Sequence, residues 1–116
     1  MYCALYLYPV TNENEQKFIE INKAAGRIYM KYGAVNDQTF QGTLVEAIYG
    51  CRGMVSAVKL LENEKVMLGI SSFHSKVHHD EVMKQVDQDE EINKLYLEMT
   101  KTIDISRVVR GEFEEV

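Results

Sequence analysis

Tyr2-Cys3-Ala4-Leu5-Tyr6-Leu7-Tyr8 opens the chain as a strand with two apolar faces. Side chains alternate across a strand, so Cys3, Leu5 and Leu7 share one face and Tyr2, Ala4, Tyr6 and Tyr8 the other. Neither face carries a charge, which is the pattern of a central strand covered on both sides. Pro9, the only proline, is expected to end it, because proline contributes no ladder donor. Beyond it, Thr11 and Asn12 are candidate helix caps, and Glu13 and Glu15 put negative charge in the first turn. Phe18, Ile21, Ala25, Ile28 and Tyr32 then recur at helical spacing, with Ala24 and Tyr29 widening the stripe. Gly33 supplies the stop. Gly26, inside that helix, costs about 1 kcal/mol relative to alanine, so it marks a close approach of helix to sheet.

Ala34 to Phe40 is a weaker strand. Asn36, Asp37 and Gln38 make it polar, as suits an edge strand or one leaning over a cavity. Gln41 to Gly53 reads as a strand extension or short helix around Leu44–Ile48, then a glycine-flanked loop carrying Cys51 and Arg52. Met54–Leu61 and Lys65–Phe73 predict a hairpin around Glu62-Asn63-Glu64. Ser75 caps a helix from Lys76 to about Val86. Asp87 to Glu91 is either a break or the charged first turn of a further helix, whose apolar face is Ile92, Leu95, Tyr96 and Met99. From Ile105 to Val116 a mostly apolar set (Ile105, Val109, Phe113) alternates with a charged one (Arg110, Glu112, Glu114), as in a half-exposed strand.

The order βαββαβ predicts one ferredoxin-like α+β domain over residues 1–116, with an antiparallel sheet and helices on one face. The other sheet face would carry either the tyrosines or the aliphatics of the first strand. Both sets are too apolar for water, so a homodimer with sheets face to face is the expected assembly. Composition narrows the rest. The chain has 116 residues, 46% apolar and 27% charged, with a net charge of −5 and no basic block. Nucleic acid and anionic membrane are therefore not expected partners. No apolar run reaches the ~20 residues of a membrane span. The first residues lack the basic start and cleavage site of a signal peptide, so a cytoplasmic location is expected, with Cys3 and Cys51 as free thiols.

Five short motifs occur in order: Tyr8-Pro9-Val10, Tyr32-Gly33-Ala34, Ala57-Val58-Lys59, Ser75-Lys76-Val77-His78-His79-Asp80 and Gly111-Glu112-Phe113-Glu114. Together they resemble the YbaA-like family of small bacterial proteins (domain of unknown function 1428), within the dimeric α/β-barrel superfamily. The resemblance implies a ferredoxin-like subunit forming a dimeric α/β barrel. It implies no catalytic residue and no cofactor. Relatives in the superfamily include cofactor-free oxygenases, haem-degrading enzymes and small-molecule binders, so the fold does not select a chemistry.

The candidate chemistry is sparse. His74 and His78 stand four apart, a metal-ligating spacing, but Ser75 starts the helix between them and no metal site is expected. His79 falls on the buried face defined by Val82 and Val86 and reads as a packed residue. His74, at the end of a core strand, is the candidate catalytic base. Tyr6, Tyr8, Asp37 and Arg52 are the candidate ligand-binding residues, with Arg52 holding an anionic oxygen. Against that stands a plainer role for the tyrosines, an aromatic layer at an interface. Cys51 beside Arg52 is a candidate low-pKa thiol. No phosphate loop, serine–histidine–acid order or nucleophile elbow appears. Two functions follow. One is a homodimeric small-molecule-binding domain, without cofactor, with cofactor-free oxygenase-like chemistry as its extension. The alternative is a non-enzymatic dimeric structural or protein-interaction module. Whether the chain is an enzyme stays open at this level.

Overall fold

The computed structural model describes residues 1–116. It contains β1 (Tyr2–Thr11), α1 (Glu15–Lys31), β2 (Asn36–Gln41), α2 (Met54–Ala57), β3 (Glu64–Phe73), α3 (Lys76–Val86), α4 (Glu90–Thr102) and β4 (Val109–Glu114). The four strands form one antiparallel sheet in the order β2-β3-β1-β4. That is the ferredoxin-like α+β arrangement. No helix is long and apolar enough to cross a membrane.

Local chemistry explains most boundaries. Gly33, at φ 115°, takes the left-handed conformation that stops α1. The Ser75 hydroxyl accepts from the His78 amide and starts α3, and the Asp89 carboxylate accepts from the Glu91 and Ile92 amides and starts α4. The Asp87–Glu91 charge run is thus a break followed by a cap. α1 has no side-chain cap bond; a single 3₁₀ turn, Asn12–Asn14, leads into it.

Two expectations are corrected. β1 does not end at Pro9 but continues to Thr11. β4 pairs with β1 only as far as Leu7, so at Pro9 the strand has one paired side, the condition under which a sheet tolerates proline. The predicted hairpin strand Met54–Leu61 is also absent. β3 pairs with β1 and β2, and Met54–Ala57 is a helical turn within a long connection from β2 to β3. A short apolar run cannot by itself distinguish strand from helix. Here the Ser56 hydroxyl donates to the Gly53 carbonyl and the Val58 amide to that of Met54, which closes the turn locally.

Registers settle which side of the sheet each residue faces. Tyr8 and Val10 pack with Phe18 and Ile21 of α1, so the tyrosine side lies under the helices. The opposite side carries Cys3, Leu5 and Leu7 of β1. Aligned with them are Ser72, Ile70 and Leu68 of β3, Phe113, Gly111 and Val109 of β4, and Asn36, Gln38 and Phe40 of β2. Val66 and Pro9 at one end of that side are buried, with Gly42 of the β2–β3 connection bonded to Val66, but Leu5, Leu7, Leu68 and Ile70 are only half-buried and Phe113 is 56% exposed. β4 therefore inverts its expected orientation: its apolar residues face outward, and Arg110 and Glu112 turn towards the helices.

The helix-side core is in two pieces. One joins Tyr8, Val10, Phe18, Ile21, Met67, Met99 and Ile103. The other joins Tyr2, Ile28, Ala34, Phe73, Val82 and Val86. A domain of this size ordinarily has one contiguous core. Here only the half-buried Leu95 packs against both pieces.

Candidate functional site

The gap between the two core pieces is a cavity of about 300 Å³. Its floor is β1 and β4, its walls are α1 and α4, and the 3₁₀ turn Ile105–Arg107 closes one side. Tyr6 and Tyr8 come from β1, Arg110 from β4, and Asn22, Ala25 and Tyr29 from α1. Ile92, Leu95, Tyr96 and Met99 come from α4. Most of the wall is apolar or aromatic, with a few polar groups converging on it, the usual make-up of a small-molecule site. No histidine or carboxylate is in the lining.

Each polar group is held. The Tyr6 and Tyr8 rings stack with centroids 5.7 Å apart, and Tyr8 rests on Phe18 at 4.8 Å. Gly69, opposite Tyr6 in the ladder, makes room for the Tyr8 ring: a β-carbon there would lie 3.2 Å from Tyr8 Cε2. The Arg110 guanidinium sits 5.0 Å above the Tyr6 ring and donates to Glu112 Oε2 at 2.9 Å. Tyr2 donates to the other oxygen of Glu112 at 2.5 Å. These two bonds, Tyr2 first, hold the Glu112 carboxyl below its ordinary range. Asn22 Nδ2 donates to Thr39 Oγ1 at 2.8 Å, leaving the amide carbonyl uncommitted. Burial pushes the Tyr8 and Tyr29 phenols well above their ordinary value, so both stay protonated donors at physiological pH.

The residues singled out in the sequence scatter across the structure. Tyr6 and Tyr8 meet in the cavity. Asp37 lies beside it, under α1, and accepts from the Ser71 hydroxyl at 2.5 Å. Burial raises its carboxyl to about 6, a shift the Ser71 bond partly offsets. Gly26 is the reason it fits: a β-carbon at that position would lie 2.2 Å from Asp37 Oδ1. His74 is exposed at the end of β3, where its ring stacks on His78 at 5.0 Å and its amide donates to His78 Nδ1. Arg52 and Cys51 are exposed in the β2–β3 connection, and Cys51 and Cys3 are free thiols. His79 is buried, its Nδ1 2.9 Å from Asp80, its ring edge-on to Phe73 at 4.7 Å. No group of three or more histidines, cysteines or carboxylates is placed to hold a metal ion.

Sequence reasoning missed Arg110, Tyr29, Asn22 and Tyr96. Arg110 was legible only through the β1–β4 register, which sets it opposite Tyr6. Tyr29 and Tyr96 read as ordinary members of apolar helix faces, and nothing in the spacing of Asn22 marks it.

Among family profiles, the one described as "Protein of unknown function (DUF1428)" matches residues 1–104. No curated protein matches the chain. Solved structures match its whole length at low identity. One is an uncharacterized NIPSNAP domain protein from Burkholderia xenovorans (TM-score 0.63, 9% identity, 100% of this chain and 95% of that chain covered). Another is At3g17210 from Arabidopsis thaliana (TM-score 0.63, 11% identity, 100% and 96% covered). A third is Atu4242 from Agrobacterium tumefaciens (TM-score 0.59, 10% identity, 100% and 94% covered). At such identities the likeness speaks for the shared fold alone.

Proposed function

We propose, from the premise that this chain belongs to the family described as "Protein of unknown function (DUF1428)", that it is a homodimeric small-molecule-binding domain. The observation that carries this reading is the break in the core. A tyrosine-walled cavity of about 300 Å³ stands where the two core pieces fail to join. The pocket is partly open to solvent, so its apolar and aromatic wall stays in contact with water that a closed core would exclude, a cost that a fold with no use for the space would not keep. The volume is at the lower end for ligand sites.

The homodimer rests on a second observation. The sheet side away from the tyrosines presents Leu5, Leu7, Phe40, Leu68, Ile70, Val109 and Phe113, while the charged residues of β4 turn inward. Such a surface is a poor one for water and a good one for a second copy. A sheet-to-sheet dimer is supported by the aliphatic side and not by the tyrosines, since Tyr8 and Tyr6 pack into the helix-side core. Binding is favoured over oxygenase-like chemistry because His74, the candidate base, points to another part of the molecule and no other base lines the cavity.

The test uses phenol, a neutral aromatic probe, titrated to millimolar concentration into isotopically labelled protein. Amide and methyl shifts confined to Ala25, Tyr29, Leu95 and Met99, and abolished by a cavity-filling Ala25→Phe, are expected. Shifts absent, or unchanged in Ala25→Phe, contradict the proposal.

A further inference from the structure

We infer that the occupant of this cavity is an organic carboxylate with an apolar body. The inference rests on the small-molecule reading and adds the ligand's chemical class. The wall is unbalanced in its polar groups. It offers the guanidinium of Arg110 and the hydroxyls of Tyr6, Tyr8, Tyr29 and Tyr96, with no carboxylate anywhere in the lining. Arg110 is the only formally charged side chain there. A guanidinium has five N–H donors, and Glu112 takes one of them, through Nη2. Glu112 itself lies outside the lining and is shared with the Tyr2 hydroxyl, so it steadies Arg110 from behind without closing it off. The planar fork is thereby held over the Tyr6 ring at the edge of the cavity it lines.

The Arg110 side chain is 46% exposed, so a neutral guest neither strands its donors nor gains from them, whereas an anionic guest would gain a charge-assisted bond. A cation would find no carboxylate in the lining, since Glu112, which pairs with Arg110, lies outside it. A carboxylate takes two parallel bonds from the guanidinium and can accept more from the phenols. The remainder of the wall is apolar: Ile21, Leu95 and Met99 face the Tyr6–Tyr8 pair, whose ring faces are taken up by each other, by Arg110 and by Phe18, which suits an apolar body on the ligand.

The experiment uses 2-naphthoate and its neutral twin 2-naphthamide, each followed by its own fluorescence anisotropy. The chain has no tryptophan to interfere. Wild-type protein should bind the acid at least tenfold more tightly than the amide. In Arg110→Met that margin should vanish, and Arg110→Lys should restore part of it. Thermal melts confirm that each variant is folded. Equal affinity of wild type for the two probes, or a margin that survives Arg110→Met, overturns the carboxylate assignment and leaves the cavity reading standing. If neither naphthyl probe nor phenol binds, the cavity reading itself fails.

Discussion

Replacing Gly26 by alanine should destabilise this protein, the reverse of what a glycine inside a helix ordinarily shows. Gly→Ala in a helix interior gains about 1 kcal/mol from backbone entropy and propensity. Here the new β-carbon would stand 2.2 Å from Asp37 Oδ1 and 2.7 Å from its Cγ. The carboxylate must move, and its 2.5 Å bond from the Ser71 hydroxyl does not survive the move. A hydrogen bond to a charged group is worth about 1.5–3 kcal/mol, and forced overpacking adds roughly 1–3 kcal/mol. Asp37 is half-buried, so part of that loss is relieved by water. The net expectation is a loss of about 1–2 kcal/mol, or roughly 4–8 °C in melting temperature at this size. The control is the same substitution in an Asp37→Ala background. There the carboxylate is gone and only the β-carbon at position 37, 3.2 Å away, remains close, so Gly26→Ala should be near neutral or stabilising, giving a coupling of about 2 kcal/mol in a urea-denaturation double-mutant cycle. Stabilisation by Gly26→Ala in the wild-type background, or an equal effect in both backgrounds, would refute the close-approach argument.

Further expectations concern charge, packing and assembly. Asp37 has an ordinary carboxyl value when unfolded and about 6 when folded, so the folded state holds its proton more tightly. Its contribution to stability is therefore largest below pH ~4 and is lost as pH rises through ~6. The difference in urea midpoint between wild type and Asp37→Asn, measured at pH 4, 5.5 and 7.5, should move in the variant's favour with increasing pH; a constant difference would count against the burial of Asp37. Gly69→Ala should push the Tyr8 ring, only 3.2 Å from the added carbon, towards the cavity and weaken phenol binding by about tenfold, about 1.4 kcal/mol. Unchanged phenol affinity would separate Tyr8 from the site. Light scattering at micromolar concentration should give a dimer for wild type. Phe113→Glu, on the sheet side away from the tyrosines, should raise the dissociation constant at least 100-fold, about 2.7 kcal/mol. A wild-type monomer would contradict the two-copy reading.

What the sequence made legible was local. The β1 alternation, the Gly33 stop and the Ser75 cap each follow from a few adjacent residues, and each sits where expected. Topology followed from element order. What escaped depends on contacts distant in sequence. β1 is apolar on both sides, so its own alternation could not say which side lies under the helices; α1 decides that through Phe18 and Ile21. With that choice open, the β4 alternation separates Arg110 from Phe113 without saying that Arg110 is the one under the helices. His74 and Arg52 were chosen as carriers of chemistry by residue type. Their positions depend on a strand end and a long connection whose paths no short-range pattern records. Asp37 and Gly26 were both noticed, for different reasons; that each explains the other appears only when α1 is laid on β2.

The most direct measurement is a crystal structure of the protein equilibrated with phenol. Density for one phenol ring in the gap, against Tyr6 and Leu95 and beneath α4, is the predicted result. A gap closed by side chains, with phenol found elsewhere or nowhere, would contradict the account.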